Sequence, residues 1–329
     1  ERDGSATGAL ERLLGSLPSR DALRFRIAQV VEPIYRRADE WQKLCSTYEV
    51  ELLFIEDRQR RIELYREIAE LQESRGSDRA AAFRAFSRAW SEEASEGEHR
   101  ERPLYEEMLR LSDLLSGWTS LVSILERATE SSYDAELQAR VFARIATIYD
   151  EKLHDRERAI ESWRKVASVQ DENPTAWEKL ERLLGQAHRH AELVTVLDKR
   201  YTLSHDLPEQ KRLLYQAAQL HEQMLEQPER AIEKWRAVLQ LDEADESALE
   251  ALARLYEARA EWRELAWVYT QQIELATSEA VRRPLRFAMA KVYEENLGDS
   301  LEAISAYKGA LEANDRDAEA VTALSRLYE

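Results

Sequence analysis

The sequence predicts an all-α fold, a solenoid of antiparallel hairpins with about eighteen helices, on three observations. Apolar residues recur at the three-and-four spacing of a helix face rather than the alternation of a strand. Glycine and proline, nine and seven in 329 residues, are too scarce to punctuate β-hairpins or long loops. The chain also repeats itself, matching through three successive units without a gap when shifted by 72 residues.

The repeat is traced by short apolar blocks. LVSIL at 121–125, LVTVL at 193–197 and LAWVY at 265–269 lie 72 residues apart. The same shift carries Ala146 onto Ala218 and Ala290, Trp163 onto Trp235 and Tyr307, and Leu180 onto Leu252 and Leu324. An earlier copy aligns with a shift of 77 through LCSTY at 44–48, Ala69 and Phe86, and returns to 72 at Met108 and Leu111. Five extra residues therefore fall near Ser91–Pro103, a charged stretch expected to form a lengthened loop. Before Trp41, Val31, Ile34 and Tyr35 match Leu252, Leu255 and Tyr256. The expected organisation is a partial repeat over 1–40 and units over 41–117, 118–189, 190–261 and 262–329, together one solenoid domain.

Each unit resolves into four helices. Leu213, Leu214, Ala217, Ala218, Leu220 and His221 make one stripe, and Ala231, Ile232, Trp235, Val238 and Leu239 make the next. Asp78, Asp155 and Asp299 stand where a carboxylate accepts the first free amides of a helix, and Glu302 follows Asp299 at capping-box spacing. Pro174 and Pro228 suit a first turn, where no amide hydrogen is needed.

One hairpin of each unit resembles a tetratricopeptide repeat. In Leu213–Asp242 the first helix carries LLYQAAQLHEQ and the second ERAIEKWRAVLQLD, with Ala218, His221, Ala231 and Trp235 at the family's small and aromatic positions. Ala146, Tyr149, Ala159 and Trp163 repeat the pattern, as do Ala290, Tyr293, Ala303 and Tyr307. The alternate hairpin opens with Trp177, Leu180 and Leu184 and continues with Leu193 and Leu197, but Glu181 replaces its small crossing residue. The resemblance covers about residues 20–329. It implies a right-handed superhelical solenoid whose first helices line a concave groove, and a role in protein–protein interaction.

By that resemblance the groove would hold pairs recurring at i and i+4: Glu106 with Arg110, Glu178 with Arg182, and Glu250 with Arg254. Arg140, Arg212, Tyr215, Phe287 and Lys291 vary between units on a constant framework, and are the positions where partner specificity would be written. The Asn and Lys pattern of family members that clamp a C-terminal carboxylate is absent.

Composition bounds the function. Acidic residues outnumber basic ones by 64 to 47, a net charge of −17 that disfavours nucleic acid and anionic membrane. From Arg58 to Arg88 the balance inverts locally, with eight arginines against five acids, best read as a solvated face. The single cysteine, Cys45, lies on an apolar stripe and excludes an internal disulfide. His188, His190 and His205 are near in sequence, yet His190 stands where other units have Trp118 and Trp262, so it is expected to pack rather than to bind metal. Phosphate-binding glycine loops, nucleophile elbows and zinc-binding His-Glu-x-x-His pairs are absent, so neither an enzyme nor a cofactor is expected.

No apolar run spans a bilayer. The chain opens without methionine and stops in mid-pattern, so it reads as a fragment; a cytoplasmic site is the expectation, and arginine over lysine, 38 to 9, suggests a bacterial source. The expected partner is a protein or peptide. Self-association or docking within a longer chain is the alternative, and an RNA-processing type of scaffold is a second one.

Overall fold

A computed structural model describes residues 2–94, 98–130, 132–313 and 316–328. Every regular element among them is helical, and they fall into two compact units, Glu1–Ala176 and Trp177–Glu329.

The first unit runs through α1 (Arg2–Ser16), α2 (Ala22–Ala38), α3 (Trp41–Glu51), α4 (Arg58–Ser74), α5 (Arg79–Glu93) and α6 (Glu98–Leu115). It continues through α7 (Trp118–Glu130), α8 (Ala135–Glu151) and α9 (Arg156–Val169), and α10 (Pro174–Gln186) crosses the division. The second unit holds α11 (His190–Leu203), α12 (Leu207–Gln223), α13 (Pro228–Leu241), α14 (Glu246–Ala258) and α15 (Trp262–Leu275). There α16 (Glu279–Lys291) passes into a π-helical segment, Val292–Leu297, before α17 (Ser300–Ala313) and α18 (Ala318–Tyr328). From α2 onward the even-numbered helices open hairpins and the odd-numbered ones close them. Helices α8, α12 and α16 start at Ala135, Leu207 and Glu279, each 72 residues after the last.

The sequence stripes are the buried faces. Ala218 and Ala231 are 0% exposed, and so are Ala69, Ala146, Ala159, Ala290 and Ala303. Methyl-sized side chains at these points let adjacent helices approach until their ridges interlock. Trp235, Val238 and Leu239 fill the wedge with Leu252 and Tyr256. Val31 and Tyr35 are buried as their alignment predicts, whereas Ile34 is exposed. Cys45 is buried, and burial together with the Glu49 carboxylate pushes its thiol up to about 11. The expected caps form: Asp78, Asp155 and Asp299 accept the amides of Ala81, Arg158 and Glu302 at 2.8, 3.1 and 3.2 Å.

The lengthened loop expected near Ser91–Pro103 is largely helix. Ser91 to Glu93 end α5, and Glu98 to Pro103 begin α6; residues 95–97 lie outside the described ones. At 18 residues α6 is longer than α10 and α14, which have 13 each, so the five extra residues add about a turn and a half of helix. Burial of Glu101 in that extra turn supplies the reason.

Hairpin turns share a feature the sequence hides. Ser77, His154 and Glu226 take left-handed backbone at φ 50 to 52°, as do Ser116, His188 and Ala260 at 52 to 56°. Among the described residues glycine takes this backbone only at Gly298, φ 66°. An alanine there carries the steric cost of its Cβ without the side-chain hydrogen bond that a polar residue can offer. Ala260→Gly should stabilise the chain by about 0.5–1 kcal/mol, read as a higher urea midpoint at unchanged slope. A lower midpoint would mean that the φ is relaxed at no cost.

Candidate functional site

Among the described residues Glu106 with Arg110 and Glu250 with Arg254 do not form i, i+4 pairs. Arg110 on α6 reaches Glu73 on α4 with both Nη atoms, at 2.8 and 2.6 Å, and its own neighbour Glu107 at 2.8 Å. Arg254 on α14 pairs with Glu222 on α12 at 2.7 Å, and Arg326 on α18 with Glu294 at 2.6 Å. Each arginine thus ties one first helix to the first helix of the preceding hairpin. Geometry favours this because first helices are near neighbours and the long arginine arm spans the gap. Glu106 turns to Arg102 at 2.9 Å, Glu178 lies 3.6 Å from Arg200, and Arg182 and Glu250 are exposed. Pairs this wet contribute about 0–1 kcal/mol each.

The residues that vary between units are mostly spent on internal contacts. Tyr215 on α12 meets Trp235 edge to face at 4.9 Å and donates its hydroxyl to Asp245, the N-cap of α14. Burial and that bond push the phenol up to about 12. Lys211 binds the same Asp245 at 2.5 Å and lies 5.9 Å from the Tyr215 ring. One repeat later Phe287 is only 7% exposed and meets Tyr307 edge to face at 5.4 Å. Arg283 stacks 4.4 Å from the Phe287 ring and binds Asp317 at 2.5 Å, holding that carboxyl down at about 2. Asp317 accepts the Ala320 amide at 3.3 Å, as Asp245 accepts that of Ala248 at 2.8 Å.

The equivalent residues in the copy before are Ala139, Ala143 and Asn173, where Asn173 alone caps α10 through Ala176 at 3.2 Å. Cation, ring and capping side chain change together because they touch one another. Arg212 likewise divides its guanidinium among Glu181, Glu209 and Gln216. Arg140 is 14% exposed and bonds the fully buried Glu101. Lys291 is exposed. Glu106, Glu178, Glu250 and Lys291 lie at the surface, Arg140 and Tyr215 are partly buried, and Phe287 is buried.

The Arg58–Arg88 stretch is more cross-linked than a solvated face would be. Arg61 pairs with Glu92 at 2.6 Å, Arg75 with Asp39 at 3.2 Å and Arg88 with Glu49 at 2.9 Å, all between helices. Among the described residues no three His, Cys, Asp or Glu side chains gather as a metal site. His190 packs at the start of α11, its ring 5.9 Å from that of His188.

Sequence reasoning missed the open clefts between successive second helices. In the second unit α13 and α15 flank a cleft of about 530 Å³, floored by Leu239 and Leu249 and rimmed by Arg236, Gln240, Glu243 and Gln271. Trp267 stands on its edge, 47% exposed. The signal for it was present, since Trp267 sits where the sister copies have Ser123 and Thr195.

Residues 248–283 match the tetratricopeptide repeat family. The matched segment spans α14, α15 and the start of α16, so it falls on the alternate hairpin rather than on the one where the resemblance looked strongest. Ala253 explains this, because here the small crossing residue replaces the glutamate found at Glu181.

Among solved structures, a tetratricopeptide repeat protein from Parabacteroides merdae is 14% identical, covering 82% of this chain and 98% of its own, TM-score 0.33. MamA from Desulfovibrio magneticus is 16% identical over 55% of this chain and 98% of its own, TM-score 0.30. YrrB, a repeat protein with an unusual peptide-binding site, is 15% identical over 63% and 96%, TM-score 0.32. No curated protein matches significantly. No helix is long and apolar enough to cross a membrane among the described residues.

Proposed function

We propose that this chain is a scaffold that takes a partner polypeptide onto its helical surfaces, with Trp267 anchoring one such partner on the second unit. Tetratricopeptide repeat folds generally serve protein–protein interaction. The observation that carries the finer reading is the exposed indole beside an apolar-floored open cleft. A solvent-facing tryptophan contributes nothing to its own hairpin that a smaller residue could not, whereas tryptophan is the side chain most enriched among energetic anchors of interfaces. The open shape suits an extended or helical segment better than a small substrate. Glu106, Glu178, Glu250 and Lys291 remain exposed positions on first helices that a partner along the groove would meet.

The test is a pull-down from cells of the source with the full chain as bait. Trp267→Ala should reduce recovery of the bound partner by about tenfold or more, the size of an interface anchor, with the helical circular dichroism unchanged. Equal recovery by both baits would sink the anchor.

A further inference from the structure

The first unit carries a cleft of different chemistry. Helices α5 and α7 flank two adjoining hollows of about 610 and 600 Å³, which share Arg84, Ile124 and Arg127. Arg88 adds a third guanidinium one turn along α5 from Arg84. Among the described residues no Asp or Glu lines either hollow, in a chain where acids outnumber bases by 64 to 47. The fold does not impose this. At the equivalent positions the cleft of the second unit has Gln271 for Arg127 and Glu243 for Ala94.

Arg84 is exposed and has no ion-pair partner among the described residues. Arg88 is held by Glu49 at 2.9 Å, but both side chains are half in water, where such a pair is readily exchanged. Arg127 donates Nε to the Ser123 carbonyl at 3.3 Å and is exposed. Beneath the arginines the lining is small and mixed, with serines on both helices, Ile124 and Ala128 partly exposed, and Phe83 and Leu137 buried. The hydroxyl of Ser112, itself 0% exposed, lies at the cleft without a hydrogen-bond partner.

We infer that this α5–α7 cleft seats an acidic segment of a partner polypeptide, its carboxylates on Arg84, Arg88 and Arg127 and its apolar side chains on the floor between the helices. The inference rests on the scaffold reading and adds the chemistry of a second partner surface. Guanidinium forks match carboxylates in shape as well as charge. A single-stranded RNA fits less well. Its bases need exposed aromatic faces to stack on, and among the described residues the only ring lining the cleft, Phe83, is 8% exposed. The net charge of −17 also opposes a long polyanion more than a short peptide.

The experiment is fluorescence anisotropy with the full chain and three labelled probes of about twelve units: a peptide alternating glutamate and leucine, the same peptide with lysine for glutamate, and oligouridine. The acidic peptide should bind and the lysine peptide should not. Arg84→Glu with Arg88→Glu should weaken the acidic peptide about tenfold or more, as should raising salt from about 50 to about 300 mM, because the contacts are charge pairs. Arg66→Glu, the same reversal at an exposed arginine of α4 outside the cleft, should change it less than about twofold, a difference set by general field alone. Trp267→Ala should leave this binding intact, so failure of that anchor and failure of this cleft are separable. Equal weakening by Arg66→Glu, or none by the cleft pair, overturns the inference. Tighter binding of oligouridine with the same dependence on Arg84 and Arg88 overturns it in favour of RNA.

Discussion

Glu101→Ala should destabilise the first unit by about 3–5 kcal/mol, the cost of leaving buried charge without its counter-ion. Glu101 is 0% exposed, and its carboxylate is fully engaged. One oxygen accepts Arg140 Nε at 2.9 Å and Arg144 Nη1 at 2.8 Å; the other accepts Arg144 Nη1 at 2.9 Å and the indole N–H of the buried Trp90. Arg140 also donates to the Ala94 carbonyl at 3.2 Å, and Arg144 stacks 3.9 Å from the Tyr105 ring. Helices α5, α6 and α8 therefore meet on one side chain. Removing it strands two guanidinium groups that are only 14% and 12% exposed.

Glu101→Gln keeps the shape and one carbonyl acceptor, so it should cost less than the alanine. Adding Arg140→Leu and Arg144→Met to the alanine variant should recover much of the loss, since an apolar replacement of a buried ion cluster is often neutral. Urea unfolding read by tryptophan fluorescence, with amide exchange in α6 to place the loss in this unit, provides the measurement. A penalty below about 1 kcal/mol would show that water reaches the arginines once the carboxylate leaves.

The same residue shows where sequence reading stops. That five residues are inserted before Met108 is legible, because a shift of 77 against 72 is arithmetic. That they form helix is not, because a run of Glu, Arg and Ser looks solvated until α8 supplies two arginines from forty residues away. Stripes and caps were legible for the opposite reason: Ala218, Trp235 and Asp155 act through periodicity and through amides three residues on, both local. The left-handed turn residues were hidden because seven of the eight among the described residues are not glycine. Variation at Tyr215 and Phe287 pointed to partner recognition; that each also belongs to an internal stack is visible only when Lys211, Tyr215 and Asp245 are compared as a set with Arg283, Phe287 and Asp317. The clefts between second helices escaped notice because no periodicity marks a surface that the hairpins leave open.

That stack gives the second large effect. Trp235→Ala should cost about 3–5 kcal/mol, the range for deleting a buried large aromatic whose site cannot collapse. Trp235 is 4% exposed and packed among Ala218, Leu239, Leu252 and Tyr256, residues on three helices whose spacing the ring itself sets. Its removal also frees Tyr215, which would lose its edge-to-face partner and loosen its hold on the Asp245 cap. Amide protection at Ala248, whose N–H that cap accepts at 2.8 Å, should fall with global stability and then further.

Trp235→Phe separates ring from nitrogen. The indole N–H is buried without a hydrogen-bond partner, a liability of about 1–3 kcal/mol that phenylalanine removes. It would offset part of the lost area and keep an edge for Tyr215. Phenylalanine should therefore sit much nearer wild type than alanine. A double-mutant cycle of Trp235→Phe and Trp235→Ala against Tyr215→Ala should give a coupling of about 0.5–1.5 kcal/mol for the ring pair. Zero coupling would mean that Tyr215 is held by Asp245 and Lys211 alone, and that the wedge and the cap are independent devices.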